Sequence, residues 1–152
     1  MKLETNRLKI VPCNFEAISA VPAMNYVAGP HISRYFEQLR EDPSLLGWGV
    51  WYVVEKESNT IIGDIGFKGK PEVAQTVEVG YGIVSSAQGY GYATEAVKAI
   101  VKWAFSTGKV NKIVAACHED NISSIRVLEK LKMKKVALED DMWKWELLKS
   151  NR

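Results

Sequence analysis

The chain has 152 residues, enough for a single domain, residues 1–152, with a sizeable core of its own. Its apolar share of 47% and charged share of 25% are ordinary for a soluble globular protein, and a net charge of +2 is too small to indicate a nucleic-acid surface. Two cysteines, Cys13 and Cys117, far apart in sequence, supply neither a disulfide framework nor zinc-ligand spacing.

Arg7 to Val11 reads as a first strand. Asn14 is placed to cap a short helix carrying Phe15 and Ile18, which Pro22 ends. His31 to Asp42 reads as a second helix with Ile32, Tyr35, Phe36 and Leu39 on one face, closed by Pro43. Trp48 to Glu55 and Thr60 to Phe67 form a hairpin around Glu57-Ser58-Asn59. A strand from Thr76 to Val84 precedes a glycine-bearing turn. A helical stripe of Ala93, Val97, Ile100 and Ala104 follows, closed by Gly108. Lys112 to Cys117 is a central strand, and Asn121 to Leu131 a helix that Asp120 or Asn121 caps. Lys135 to Leu138 and Met142 to Leu148 make a final hairpin around Glu139-Asp140-Asp141. This order predicts an α/β (α+β) fold: a mixed, mostly antiparallel central sheet of about seven strands with helices on both faces.

The stretch from Gln88 to Glu95, Gln-Gly-Tyr-Gly-Tyr-Ala-Thr-Glu, is the strongest local signal. A glycine turn between strand and helix lets backbone approach a phosphate, and the first N–H groups of the helix have no internal partner. A dinucleotide fingerprint fails because Thr94 stands at its third glycine and no acidic residue ends a second strand at the required distance. A Walker loop fails because no Gly-Lys-Ser/Thr follows.

Gln88, Gly91 and Ala93 fit Gln/Arg-x-x-Gly-x-Gly/Ala, which resembles the acetyl-coenzyme A loop of the GNAT family of N-acetyltransferases. Gly-Tyr-Gly-Tyr-Ala-Thr-Glu-Ala looks most like the RimJ/RimL branch, which acetylates protein N-termini and has relatives that acetylate small amines. The element order matches the GNAT (acyl-CoA N-acyltransferase) fold over nearly the whole chain, and Leu3 to Leu8 is similar to that branch's entry strand. Asn121 to Leu131 resembles the family's Asn-x-x-Ser-x-x-x-x-x-Lys-x-Gly-Phe helix, with Lys132-Met133 where Gly-Phe is usual.

The resemblance implies acetyl-CoA as co-substrate, no metal, and an amine acceptor that is a small molecule or a peptide. Gln88, Gly89, Tyr90, Gly91, Tyr92, Ala93 and Thr94 are the implied coenzyme loop. Asn121 is implied to face the pantetheine arm, Ser124 to lie toward the thiol, and Arg126 toward the phosphates. The strand ending at Val84 and the next are implied to splay, with backbone at Ile83 and Val84 pairing with pantetheine and one N–H holding the oxyanion.

Glu78 is the candidate base. Valines on both sides place it on one strand face with Gly80 and Gly82, over open space, and RimJ/RimL relatives carry Glu at the matching position. The family's usual Tyr acid is replaced by Leu128, leaving Ser124, another tyrosine or water. Glu95 reads as a structural residue in the first turn of its helix. Trp48, Trp51, Trp143 and Trp145 read mainly as core or strand-surface residues. Lys130, Lys132, Lys134 and Lys135 read as a solvated helix end or as a contact for the outer phosphates. His31 and His118 lack metal-ligand spacing. The N-terminus has no apolar core of a signal peptide and no apolar run is long enough for a membrane, so the expected setting is cytoplasmic, as monomer or homodimer, without nucleic-acid or membrane partners. The missing Tyr and the altered Lys132-Met133 also leave room for a coenzyme A-binding sensor or scaffold without catalysis.

Overall fold

The computed structural model describes residues 2–13 and 30–150. The helix expected from Asn14 to Pro22 lies outside those residues. Eight strands and three α-helices follow in the order β1 Leu3–Glu4, β2 Leu8–Pro12, α1 Pro30–Glu41, β3 Val50–Glu55, β4 Thr60–Phe67, β5 Thr76–Ile83, α2 Tyr92–Ser106, β6 Lys112–His118, α3 Ile122–Lys130, β7 Lys134–Glu139 and β8 Met142–Leu148. The expectation of seven strands is corrected by β1. Its two residues are too few to show alternation, and they become a strand only by pairing Leu3 with Ile10 across the sheet.

The sheet runs β1-β2-β3-β4-β5-β6-β8-β7, and only the β5–β6 contact is parallel. Each face carries its own apolar set because side chains alternate along a strand. Trp51, Val53, Ile65, Phe67, Val77 and Val79 pack under α2 and Leu128 of α3. Tyr52, Val54 and Ile61 pack with Ile32, Tyr35 and Phe36 of α1. Trp48, Trp51 and Trp145 are buried and Trp143 packs at the core margin, so these tryptophans build the fold.

The β5–β6 pairing is short. Thr76, Val77 and Glu78 pair with Lys112, Ile113 and Val114, and there the register ends. Beyond it β5 stays with β4 as far as Ile83, whereas β6 stays with β8 as far as His118. The sheet therefore forks, with Glu78 at the closed end of the fork.

The departure at Lys132-Met133 leaves the helix-ending turn intact. Lys132 takes φ +64°, the left-handed conformation that glycine ordinarily supplies after a helix. The Met133 N–H donates to the Leu128 carbonyl at 3.1 Å, and the Met133 side chain is buried. A side chain in this conformation costs about 1 kcal/mol. Lys132→Gly is expected to recover roughly that amount, seen as a rise of a few degrees in thermal unfolding; an unchanged or lower melting temperature would contradict the strain.

Candidate functional site

Two clefts meet at the fork. The first, about 430 Å³, lies between the end of β5 with its following loop and the helix α3 that follows β6. Its walls include Ile83, Gln88, Gly89, Gly91, Tyr92, Ala93 and Thr94 on one side, and Asn121, Ser124 and Arg126 on the other. Ser123, Val127 and Lys130 complete the α3 side. Its lining among the described residues contains two cations, Arg126 and Lys130, and no carboxylate. With the N-terminus of α2 opening onto it, the cleft suits an anion.

The loop conformation explains its glycines. Gly89 and Gly91 have φ +87° and +82°, and Gly91 is the N-cap of α2. Gln88 folds back so that its amide nitrogen donates to the Ile83 carbonyl at 2.8 Å. Tyr90 and Val84 are not in the lining. Tyr90 is exposed against Tyr92, ring centroids 5.9 Å apart. The Val84 N–H donates to the Ile62 carbonyl and its own carbonyl accepts from Ala87 N–H. The Val84 N–H is thus spent on β4, and Val84 lies outside the cleft lining.

Asn121 does cap α3: its side-chain oxygen accepts from Ser124 N–H at 3.1 Å and from the Ser123 hydroxyl at 3.0 Å. The cap places Asn121 in the cleft wall, so capping and lining occur together. The lysine cluster divides. Lys130 faces the cleft, while Lys135 lies over the Trp143 ring at 4.2 Å.

A clamp that sequence reading missed holds the loop from behind. Glu95 accepts from the Thr5 hydroxyl at 2.5 Å, the Arg7 N–H at 2.9 Å and the Arg7 Nε at 2.8 Å. Arg7 Nη1 also donates to the Tyr90 carbonyl at 2.8 Å, and its guanidinium lies 4.4 Å from the centre of the Tyr92 ring. Tyr92 in turn donates to Glu55 at 2.7 Å. Thr5 and Arg7 lie more than eighty residues from Tyr90 and Glu95, so only Glu95 in the first turn of its helix was legible beforehand.

The second cleft, about 880 Å³, lies on the α1 side of the sheet. Gly66, Gly80 and Gly82 form part of its floor; Asp64, His31 and Lys68 are in its walls. A Cβ at Gly80 or Gly82 would meet nothing within 4 Å, so the floor is open. Tyr81 and Gly82 line both clefts. Tyr81 reaches across the fork, its hydroxyl donating to the Ser124 carbonyl at 3.4 Å. Burial pushes the Tyr81 phenol upward, so it keeps its proton at neutral pH. Its position in an alternating strand was visible in the sequence; its reach to α3 was not. Glu78 shares the strand face of Gly80 and Gly82 but is in the lining of neither cleft; it is about a third exposed, with Lys68 Nζ at 2.7 Å from its carboxylate.

Among the described residues no cluster of His, Cys, Asp or Glu could hold a metal ion, and no helix is long and apolar enough to cross a membrane.

A forked sheet with a glycine loop at the open end and two clefts joined at one strand is the architecture of the GNAT acetyltransferase fold. Residues 18–134 match the family described as acetyltransferase (GNAT) domain, and the chain belongs to that family. It is 30% identical over 146 residues to the uncharacterized N-acetyltransferase YjdG of Bacillus subtilis, covering 85% of this chain and 87% of that protein. In fold it resembles RimL, a ribosomal L7/L12 alpha-N-protein acetyltransferase in complex with coenzyme A, with a TM-score of 0.76 at 13% identity over 97% and 98% of the two chains. It also resembles the ribosomal-protein-S5-alanine acetyltransferase of Vibrio fischeri, with a TM-score of 0.74 at 18% identity over 99% and 98%. The protein is an N-acetyltransferase.

The Glu95 clamp has a pH signature. Burial pushes its carboxyl up, but the donors from Thr5 and Arg7 outweigh this and hold it below its ordinary 4.5. A depressed folded pKa contributes stability that is complete above the unfolded value and lost as pH falls through the folded one. Glu95→Gln is therefore expected to lower the melting temperature at pH 7. That gap from the parent protein should narrow below about pH 4.5; a gap constant with pH would remove the charged clamp.

Proposed function

We propose that the protein moves an acetyl group from acetyl-CoA directly to a primary amine while both are bound. The observation that carries this reading is the junction of two clefts at Tyr81 and Gly82, on the strand that carries Glu78 at the closed end of the fork. The smaller cleft takes the coenzyme. N–H groups of the glycine loop and α2, with Arg126 and Lys130, meet its phosphates. Asn121 and the backbone near Ile83 line the path of the pantetheine arm toward Tyr81. Within this reading an N–H from β5 stabilises the oxyanion that develops on the thioester carbonyl.

The larger cleft takes the acceptor. Its volume exceeds what a simple amine fills and leaves room for the end of a peptide. The RimL likeness, whose protein is described as acting on an alpha-N position, supports a protein N-terminus as acceptor.

The reaction needs a neutral amine, whereas a lysine-type amine has a pKa near ~10.4. Glu78 takes the ammonium proton directly or through water. The amine then attacks the carbonyl from about 3–3.5 Å. The departing thiolate takes a proton from Tyr81, whose hydroxyl spans the fork, with Ser124 as the neighbouring donor. Tyr81 occupies the role that Leu128, buried in the core, has no group to fill.

Acetyl-CoA is expected to raise the melting temperature clearly, with no rise from NAD or ATP; absence of the acetyl-CoA shift would defeat the assignment. Glu78→Gln is expected to reduce turnover by about a hundredfold while leaving coenzyme affinity nearly unchanged. An unaltered rate would take Glu78 out of the mechanism. Gly80→Val should fold normally, because its Cβ meets open space, yet lose acceptor binding. Acceptor KM measured at saturating coenzyme checks this.

A further inference from the structure

Lys68 stands in an unusual place for a surface lysine. It follows β4, and its N–H donates to the Glu78 carbonyl at 3.0 Å, making the two residues cross-strand neighbours. Their side chains point to the same face: Lys68 Nζ is 2.7 Å from Glu78 Oε2. Lys68 also belongs to the wall of the larger cleft, next to the open floor at Gly80. An ammonium from the wall of the cleft assigned to the acceptor therefore already rests on the carboxylate assigned to deprotonate that acceptor. The Lys68 side chain is mostly exposed, so no packing prevents it from swinging along the glycine floor toward Tyr81.

We propose that Lys68 is an internal acceptor: the protein acetylates its own Lys68 in cis when it holds acetyl-CoA without an external amine. This rests on the assignment of the two clefts and of Glu78 given above. Glu78 takes one proton from the Lys68 ammonium and passes it to solvent. The neutral Nζ forms a bond to the thioester carbonyl carbon, and the carbon–sulfur bond breaks. The proton lost from the attacking nitrogen ends on the coenzyme thiolate. The products are Nε-acetyl-Lys68, coenzyme A and one released proton. The modification removes the charge that holds Glu78 in an ion pair, and so alters the site that made it.

The test incubates the full chain with acetyl-CoA and no acceptor, then follows intact mass and maps acetylated peptides over time. Lys68 should be acetylated roughly tenfold or more faster than the median of the other lysines, because a held amine has a high effective concentration. The rate per molecule should not change on dilution of the protein. Glu78→Gln should bring Lys68 down to the background of the other lysines, and Lys68→Arg should abolish the fast adduct while keeping the melting shift with acetyl-CoA. Acetylation of Lys68 at the background rate, a rate that falls on dilution, or a rate untouched by Glu78→Gln would each overturn the proposal. The melting shift and thiol release with external amines are measured on the same preparation. If both are present and Lys68 stays unmodified, only the internal-acceptor proposal fails; if acetyl-CoA gives no shift, the clefts have been misassigned and both readings fail.

Discussion

Strands β5 and β6 share only three residue pairs, and their separation after Glu78 and Val114 organises everything around it. A parallel pair between two central strands would ordinarily continue, since each unpaired N–H and C=O in a sheet interior is costly. Here β5 keeps β4 as its partner and β6 keeps β8, so each strand retains one continuous ladder while the space between them opens. That space can then admit a linear ligand presenting its own polar groups. The glycines of β5 complete the arrangement on the other face. Gly80 and Gly82 leave the floor of the second cleft without side chains, so both clefts reach the same short segment of one strand.

The loop at the mouth of the fork is packed at Ala87 and Tyr92 and held from behind by charge. Glycines at positive φ permit the turn but do not rigidify it, because they carry no side chains. Rigidity comes from Arg7 and Thr5 at the start of the chain, which converge on Glu95 and the Tyr90 carbonyl. The edge of the sheet thereby positions the glycine loop near its centre. The link from β2 to α2 runs through three charge-assisted hydrogen bonds to one carboxylate, the stronger class of such bonds.

Much of the fold was legible in the chain. Runs of β-branched and aromatic residues bounded by turn residues marked β3 to β5, the period of Ala93, Val97, Ile100 and Ala104 marked α2, and Asn121 marked the start of α3. Those features are local, and a local pattern shows in a local window. β1 was hidden because two residues have no period, and the strand expected from Trp48 begins at Val50 because the Trp48 N–H is spent on a turn to Leu45. Lys132 shows the reverse case: a residue that looked wrong for a helix end adopts the glycine conformation because buried Met133 anchors the turn.

The sequence alone determined the family resemblance and the two motifs that carry it, the glycine loop from Gln88 to Thr94 and the helix opened by Asn121, since each is a motif of adjacent residues. That the Val84 N–H is spent on β4, that Tyr81 bridges the fork, and that Arg7 and Lys68 arrive beside Glu95 and Glu78 were decided only by the tertiary structure. The reason is physical. Hydrogen-bond partners and cleft walls depend on sheet register and on contacts between residues distant in the chain, and neither leaves a trace in residue order.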